Sequence, residues 1–148
     1  MSRAKRISGL LQSTFDGDAW YGPAVMDVLA DISTAQSLKK VGESNSIVQL
    51  VGHMTAWRTF TIKKLSGDVD FDITTDEMNF PGSTDWTKTV NKLKQSQDQL
   101  LILLESAPDE KLQENVPGRK YDFYTLLHGI IQHDIYHLGQ IQLIKKYV

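Results

Sequence analysis

The stretch that most constrains the fold is Tyr121–Val148, YDFYTLLHGIIQHDIYHLGQIQLIKKYV. It has no proline, and its glycines, Gly129 and Gly139, are isolated, so nothing inside it stops a helix of roughly 26 residues. Leu126, Ile130, His133, His137, Gln140, Ile144 and Tyr147 follow one another by alternating steps of four and three. That rhythm draws a single seam down a helix that faces other helices. Two histidines and a glutamine take the middle of the seam, where leucine would serve. His133 and His137 leave the same side of the helix one turn apart. From that spacing two imidazole nitrogens can bind one metal ion.

A helix of this length needs partners, and the rest of the chain supplies helical patterns. Ile7, Leu10, Leu11 and Phe15 give a short amphipathic helix from Arg3 to about Phe15, broken at Asp16-Gly17-Asp18. Trp20-Tyr21-Gly22-Pro23 follows, with Pro23 suited to open a second piece that carries Val25, Met26, Leu29 and Ile32. The two pieces read as one broken arm, and Ser33 to Gly42 as a connection. Ser44 or Asn45 caps a helix that runs to about Leu65, with Gly67 just past its end. Its stripe is Ile47, Leu50, Val51, Met54, Trp57, Thr61 and Leu65, with His53 at the edge. Ser83 or Thr84 caps another helix, with Asp85 at its positive end. Trp86, Val90, Leu93, Leu100 and Leu104 keep its rhythm, interrupted by Gln97, until Ala107-Pro108 closes it. Val116-Pro117-Gly118-Arg119 is a turn.

Between these two helices, Gly67 to Ser83 shows no periodicity and exceeds what antiparallel neighbours need. A helix of about 21 residues is roughly 31 Å long, and about seventeen extended residues reach roughly 55 Å. The connection can therefore run back along the bundle, leaving the second and third helices parallel. No strand alternation appears. The expectation is an all-α four-helix bundle, one domain over 1–148, with a long crossover and a broken N-terminal arm.

Composition narrows the function. The chain of 148 residues is 41% apolar and 23% charged, ordinary for a folded domain. A net charge of −2 gives no footprint for nucleic acid or an anionic membrane. With no cysteine there is no disulfide, thiolate site or cysteine nucleophile. No apolar run approaches a membrane span or a signal peptide, so the cytoplasm is the expected compartment. Glycine-rich phosphate loops, a G-x-S-x-G elbow and the Glu-x-x-His pairs of di-iron bundles are missing.

The histidine pair is open to two readings: seam residues hydrogen-bonded to neighbours, or two ligands of one ion. A third ligand must come from another helix. His53 is the best placed, while His128 lies about half a turn away from His137 and should point elsewhere. Asp134 makes His133-Asp134-Ile135-Tyr136-His137 one substitution from the zinc-peptidase H-E-x-x-H. It can act as a base, orient a histidine, or face solvent. Gln140, one turn beyond His137, can hydrogen-bond a bound water or substrate, or brace another helix. Gly139 should let a neighbouring helix approach. Trp20, Tyr21, Trp57 and Tyr136 can line a pocket over the metal, or fill the core.

AWYGP near the start, SIVQLVGHMTAW, the long middle loop and VPGRKYDFYTLLHGIIQHDIYHLGQI together resemble the DinB/YfiT-like superfamily over nearly the whole chain. That family comprises small four-helix bundles described as metal-dependent enzymes. Matched motif to motif, the resemblance implies a divalent ion on His53, His133 and His137, and parallel second and third helices. Some members resemble S-transferases that use bacillithiol or mycothiol; others are called hydrolases. The implied activity is transfer of a low-molecular-weight thiol to a small electrophile. Gln140 and Tyr136 would position ligands, and Trp20 and Trp57 would wall off water. Metal-assisted hydrolysis, with Asp134 moving the proton, and a non-catalytic metal-binding stress-response role are the alternatives. Zinc, nickel, iron and copper all suit three imidazoles. A homodimer is expected; nucleic acid and membrane partners are not.

Overall fold

The computed structural model describes residues 1–148, and all its regular elements are helical. In chain order they are α1 (Arg3–Phe15), α2 (Val25–Leu29), α3 (Thr34–Leu38), α4 (Ile47–Leu65), α5 (Asp76–Asn79), α6 (Trp86–Ser106), a 3₁₀ turn (Asp109–Gln113) and α7 (Phe123–Lys145). Each long helix starts at a residue that satisfies its own first turn. Ser2 accepts from the Lys5 amide, Asp85 from Lys88 at 2.9 Å and Asp122 from Thr125 at 2.8 Å. At α4 the Ser46 amide donates to Gln49 Oε1 at 2.9 Å, half of a capping box. These caps lie one to two residues beyond Ser44/Asn45 and Ser83/Thr84. Pro23 stays outside α2, whose cap is Ala24, and α3 interrupts the Ser33–Gly42 connection. Gly67, at φ +89°, ends α4 in a conformation that other residues rarely adopt.

Three apolar clusters fix the helix directions. The first half of α4 (Ile47, Leu50, Val51, Met54) packs with the first half of α6 (Trp86, Leu93) and the end of α7 (Leu138, Ile141, Ile144). The start of α1 (Ala4, Ile7, Leu11) packs with the second half of α6 (Leu100, Leu104) and the start of α7 (Leu127, Ile130, Ile131), where Trp57, Ile62 and Leu65 of α4 join them. Helices α4 and α6 therefore run parallel, and α1 and α7 run against them. The crossover from Leu65 to Trp86 is anchored early by the Arg119–Asp72 ion pair at 2.6 Å and by Lys64 donating to the Val69 carbonyl at 2.7 Å. Phe71 and Ile73 pack on the small cluster of Phe60, Val116, Phe123 and Leu126.

The deepest layer of the bundle is polar. Arg58, the largest wholly buried side chain, pairs with Asp134 of α7 and donates to Gln97 Oε1 of α6 at 2.5 Å. Its guanidinium also lies 5.1 Å from the Phe15 ring centroid of α1. Burial pushes the Asp134 carboxyl up and Arg58 opposes it. The guanidinium contact favours the ionised carboxylate against that penalty.

This layer turns α7 relative to the expected seam. Leu127, Asp134, Leu138 and Ile141 lie at 1% exposure or less, whereas Tyr147 is 69% exposed. On α7, His137 is buried and His133 half-buried. Asp134 neither faces solvent nor bonds a histidine; one residue on from His133 is 100° around the helix, which aims it at Arg58. Gly139 is also corrected, since it is exposed and a Cβ there would meet nothing within 4 Å.

Arg58→Ala would strand the Asp134 carboxylate and is expected to cost about 3–5 kcal/mol in urea unfolding. The joint replacement Arg58→Met, Asp134→Leu is expected to recover most of that loss, because no unpaired charge remains. Equal losses in the single and double variants would contradict this account of the layer.

Candidate metal centre

His53 is buried at 7% exposure on the face of α4 that meets the crossover. Its Nδ1–H donates to the Asn79 carbonyl at 2.8 Å, and its ring stacks on Phe80 at 4.1 Å and 4°. A carbonyl only accepts, so the proton is on Nδ1 and the Nε2 lone pair points inward. The same Asn79 accepts from the Trp57 indole through Oδ1 at 3.0 Å. Gly52 makes this approach feasible, since a Cβ at that position would stand 3.1 Å from the Pro81 carbonyl. The close contact expected of Gly139 is thus made by Gly52, beside the ligand it serves.

On α7, His137 donates through Nδ1 to Gln140 Oε1 at 2.6 Å, which again leaves Nε2 free. His133 stands between the other two: its Nε2 is 3.0 Å from His53 Nε2 and 3.0 Å from His137 Nε2. One nitrogen from each ring lies within 4.8 Å of the others. His128 is outside the group, with Nδ1 bonded to the Tyr124 carbonyl at 2.9 Å.

Both flanking rings aim lone pairs at His133 Nε2, which carries one proton at most. At least one of the two 3.0 Å contacts is therefore lone pair against lone pair. A cation among the three nitrogens removes that conflict. Tetrahedral zinc with bonds of about 2.0–2.1 Å separates its ligands by about 3.3 Å, within a few tenths of the two contacts to His133, and all three nitrogens lie within 4.8 Å of one another. Burial pushes all three imidazoles below their ordinary value, and His133 falls to about 3 because His137, His53 and Arg58 add their charges. Near neutral pH they are uncharged, the form that binds metal without first losing a proton. Two of the three have their second nitrogen fixed by a neighbour, as metal-binding histidines usually do. His133 Nδ1 is buried with no partner.

The other candidates are distributed unevenly. Trp57 is half-buried and, with Tyr121, Thr125, Leu126, Gly129, Ile130 and His133, lines a pocket of about 270 Å³. Tyr136 is 65% exposed and meets His137 edge-on at 5.1 Å, so it borders the centre from outside. Trp20 is 102% exposed and walls nothing off: the Ala19–Gly22 bridge makes a tight turn with the indole at its apex. Tyr21, also exposed, donates to the Thr14 carbonyl at 3.5 Å, and burial with the nearby Asp134 charge pushes its phenol up. Asn79 and Gly52 were not singled out in the sequence, and neither had a periodic signal to reveal it.

A family model described as the DinB superfamily matches residues 23–141. The chain belongs to the DinB superfamily. The matched span contains all three histidines, Asn79 and Gln140. No curated protein and no solved structure matches the chain. Superfamily membership and the three-histidine group are compatible with a metal-binding enzyme. No helix is long and apolar enough to cross a membrane.

Depressed histidine values mean that the unfolded chain binds more protons than the folded one, so stability rises with pH across that interval. The metal-free protein is expected to lose stability as pH falls below 6.5, with the His133 part of the loss continuing towards about 3. His133→Asn should flatten the slope when urea midpoints at about pH 7.5 and about pH 5 are compared; an unchanged slope would deny that His133 is the depressed group. Separately, Gly52→Val should push Pro81 and Asn79 outward. About 10–100-fold weaker divalent-metal binding is expected at unchanged helix content by circular dichroism.

Proposed function

We propose that His53, His133 and His137 hold one divalent metal ion, and that the protein transfers a low-molecular-weight thiol to a small electrophile. The observation that carries the reading is the convergence of three uncharged Nε2 atoms, two of them oriented by Asn79 and Gln140. Zinc and nickel are the first choices for such a donor set, with iron and copper next. A bound divalent ion would supply acidity to a coordinated thiol, which is then deprotonated outright.

The chain's own residues contribute orientation and exclusion of water. Asn79 and Gln140 hold two rings, and Phe80 covers the face of His53. Trp57, pinned by Asn79, bounds an apolar pocket beside His133. In the transfer, the sulfur forms a bond to the electrophilic carbon, the leaving group departs with its bonding pair, and the thiol proton goes to solvent. No side-chain base is required. That favours thiol transfer over hydrolysis here, because Asp134, the nearest carboxylate in the sequence motif, is already committed to Arg58.

Purified protein is expected to carry about one equivalent of metal, as a single three-ligand site implies, and His137→Ala should lose it by elemental analysis. The parent should consume 1-chloro-2,4-dinitrobenzene at a rate that depends on added thiol, and the variant should not. Turnover of esters without thiol would point to hydrolysis; tight metal with neither activity would point to a non-catalytic role.

A further inference from the structure

Gly129 lies inside α7, four residues before His133 and on the same side of the helix. Glycine is the least favourable helix-interior residue after proline, so its presence there asks for a reason. Close packing is not that reason, since a Cβ at Gly129 would meet nothing within 4 Å. The open space beside it is the pocket of about 270 Å³ walled by Trp57, Tyr121, Leu126 and Ile130, with exposed Thr125 and half-buried His133 completing the lining.

The walls are fixed. Leu126 and Ile130 are themselves buried, at 8% and 3% exposure, and the Trp57 indole is tethered at 3.0 Å to Asn79. Apart from His133 the lining carries no ionisable group other than the Tyr121 phenol, so a charged substrate portion would find no counter-ion. Aromatic faces favour flat π-systems placed offset or edge-on. The volume sits just below the range of about 300–1,000 Å³ usual for drug-sized ligands, which suits one substituted ring.

We propose that this pocket receives the flat, apolar aryl portion of the electrophile, and that Gly129 sets the size it admits. The assignment rests on the proposed function only in placing the reacting carbon near His133; binding of the ring itself does not require a metal.

The test uses the full chain, purified with its metal and carrying Trp20→Phe, so that of the two remaining tryptophans the probe reaches half-buried Trp57 rather than Trp86, which is buried in the core. The probe is 2,4-dinitrotoluene, an unreactive nitroarene. Saturable quenching is expected in the parent, at least about tenfold weaker binding in Gly129→Leu, and an intermediate loss in Gly129→Ala, since each added carbon fills space the ring needs. Metal content should match the parent. Melting temperature should hold or rise, because alanine and leucine favour helix over glycine. Thr125→Phe, on the exposed edge, provides a second block should Gly129→Leu not fold. Undiminished quenching in the folded blocking variants, or no saturable quenching in the parent, overturns the pocket assignment. Quenching lost in Gly129→Leu from a protein that holds no metal would keep the pocket and remove the metal-dependent reading; metal without quenching would do the reverse.

Discussion

The guanidinium of Arg58 is where the bundle is tied together. It meets Asp134 of α7, Gln97 of α6 and Phe15 of α1, so one side chain of α4 reaches each of the other long helices. A buried ion pair adds little net stability over apolar packing, but it is intolerant of mispairing. An apolar seam can rotate by a fraction of a turn and lose modest contact energy. A carboxylate rotated away from its only buried cation loses far more. The rotation of α7 is therefore set by Asp134, and with it the direction in which His133 and His137 leave the helix. Asp134, open in the sequence to a role as base, as orienter of a histidine or as a solvent-facing residue, instead pairs with Arg58.

The crossover has a comparable double role. Its length lets α4 and α6 run parallel, which puts their first halves at the same end as the closing turns of α7. Its path then brings Asn79 against α4, where the backbone carbonyl orients His53 and the side-chain carbonyl holds Trp57. A tighter hairpin would leave both groups to solvent. Ion pairing at Asp72 and the close approach at Gly52 fix the two ends of this path. The apparently structureless segment thus supplies the support that α4 alone lacks.

Much of this was legible in the sequence, and the misses have physical causes. The four/three rhythm placed His133 and His137 together because helix geometry is local. Proline, glycine and capping residues marked the long helices to within a few positions for the same reason. Apolar stripes failed where the core is charged: Arg58 lies outside the stripe of α4, Asp134 was open to a base, orienting or solvent-facing role, and Gln97 interrupting the α6 rhythm was the trace of the pair. Asn79 falls in an aperiodic segment and contacts residues more than twenty positions away, so nothing nearby announces it. A glycine's smallness gains meaning only from what lies opposite. That is why the close contact assigned to Gly139 is found at Gly52, while Gly129 faces open space. Trp20 shows the converse, an aromatic residue that looked like wall material and stands at the tip of a turn.

The charge balance at the centre follows from these placements. Had Asp134 pointed to the histidines, a divalent ion there would sit among two or three imidazoles and a carboxylate, its charge partly neutralised by protein. Because Arg58 holds that carboxylate elsewhere, the donor set is three neutral rings, and the positive potential of Arg58 itself reaches His133. A divalent ion held there would leave its full positive charge to be met from outside the protein, in surroundings where burial weakens screening by water. With a divalent ion on those rings, an anionic partner would be favoured over a neutral one, and this is the electrostatic support for the thiol proposed above. The ion pair across the bundle and the uncharged, carboxylate-free histidine group are thus two consequences of one buried arginine.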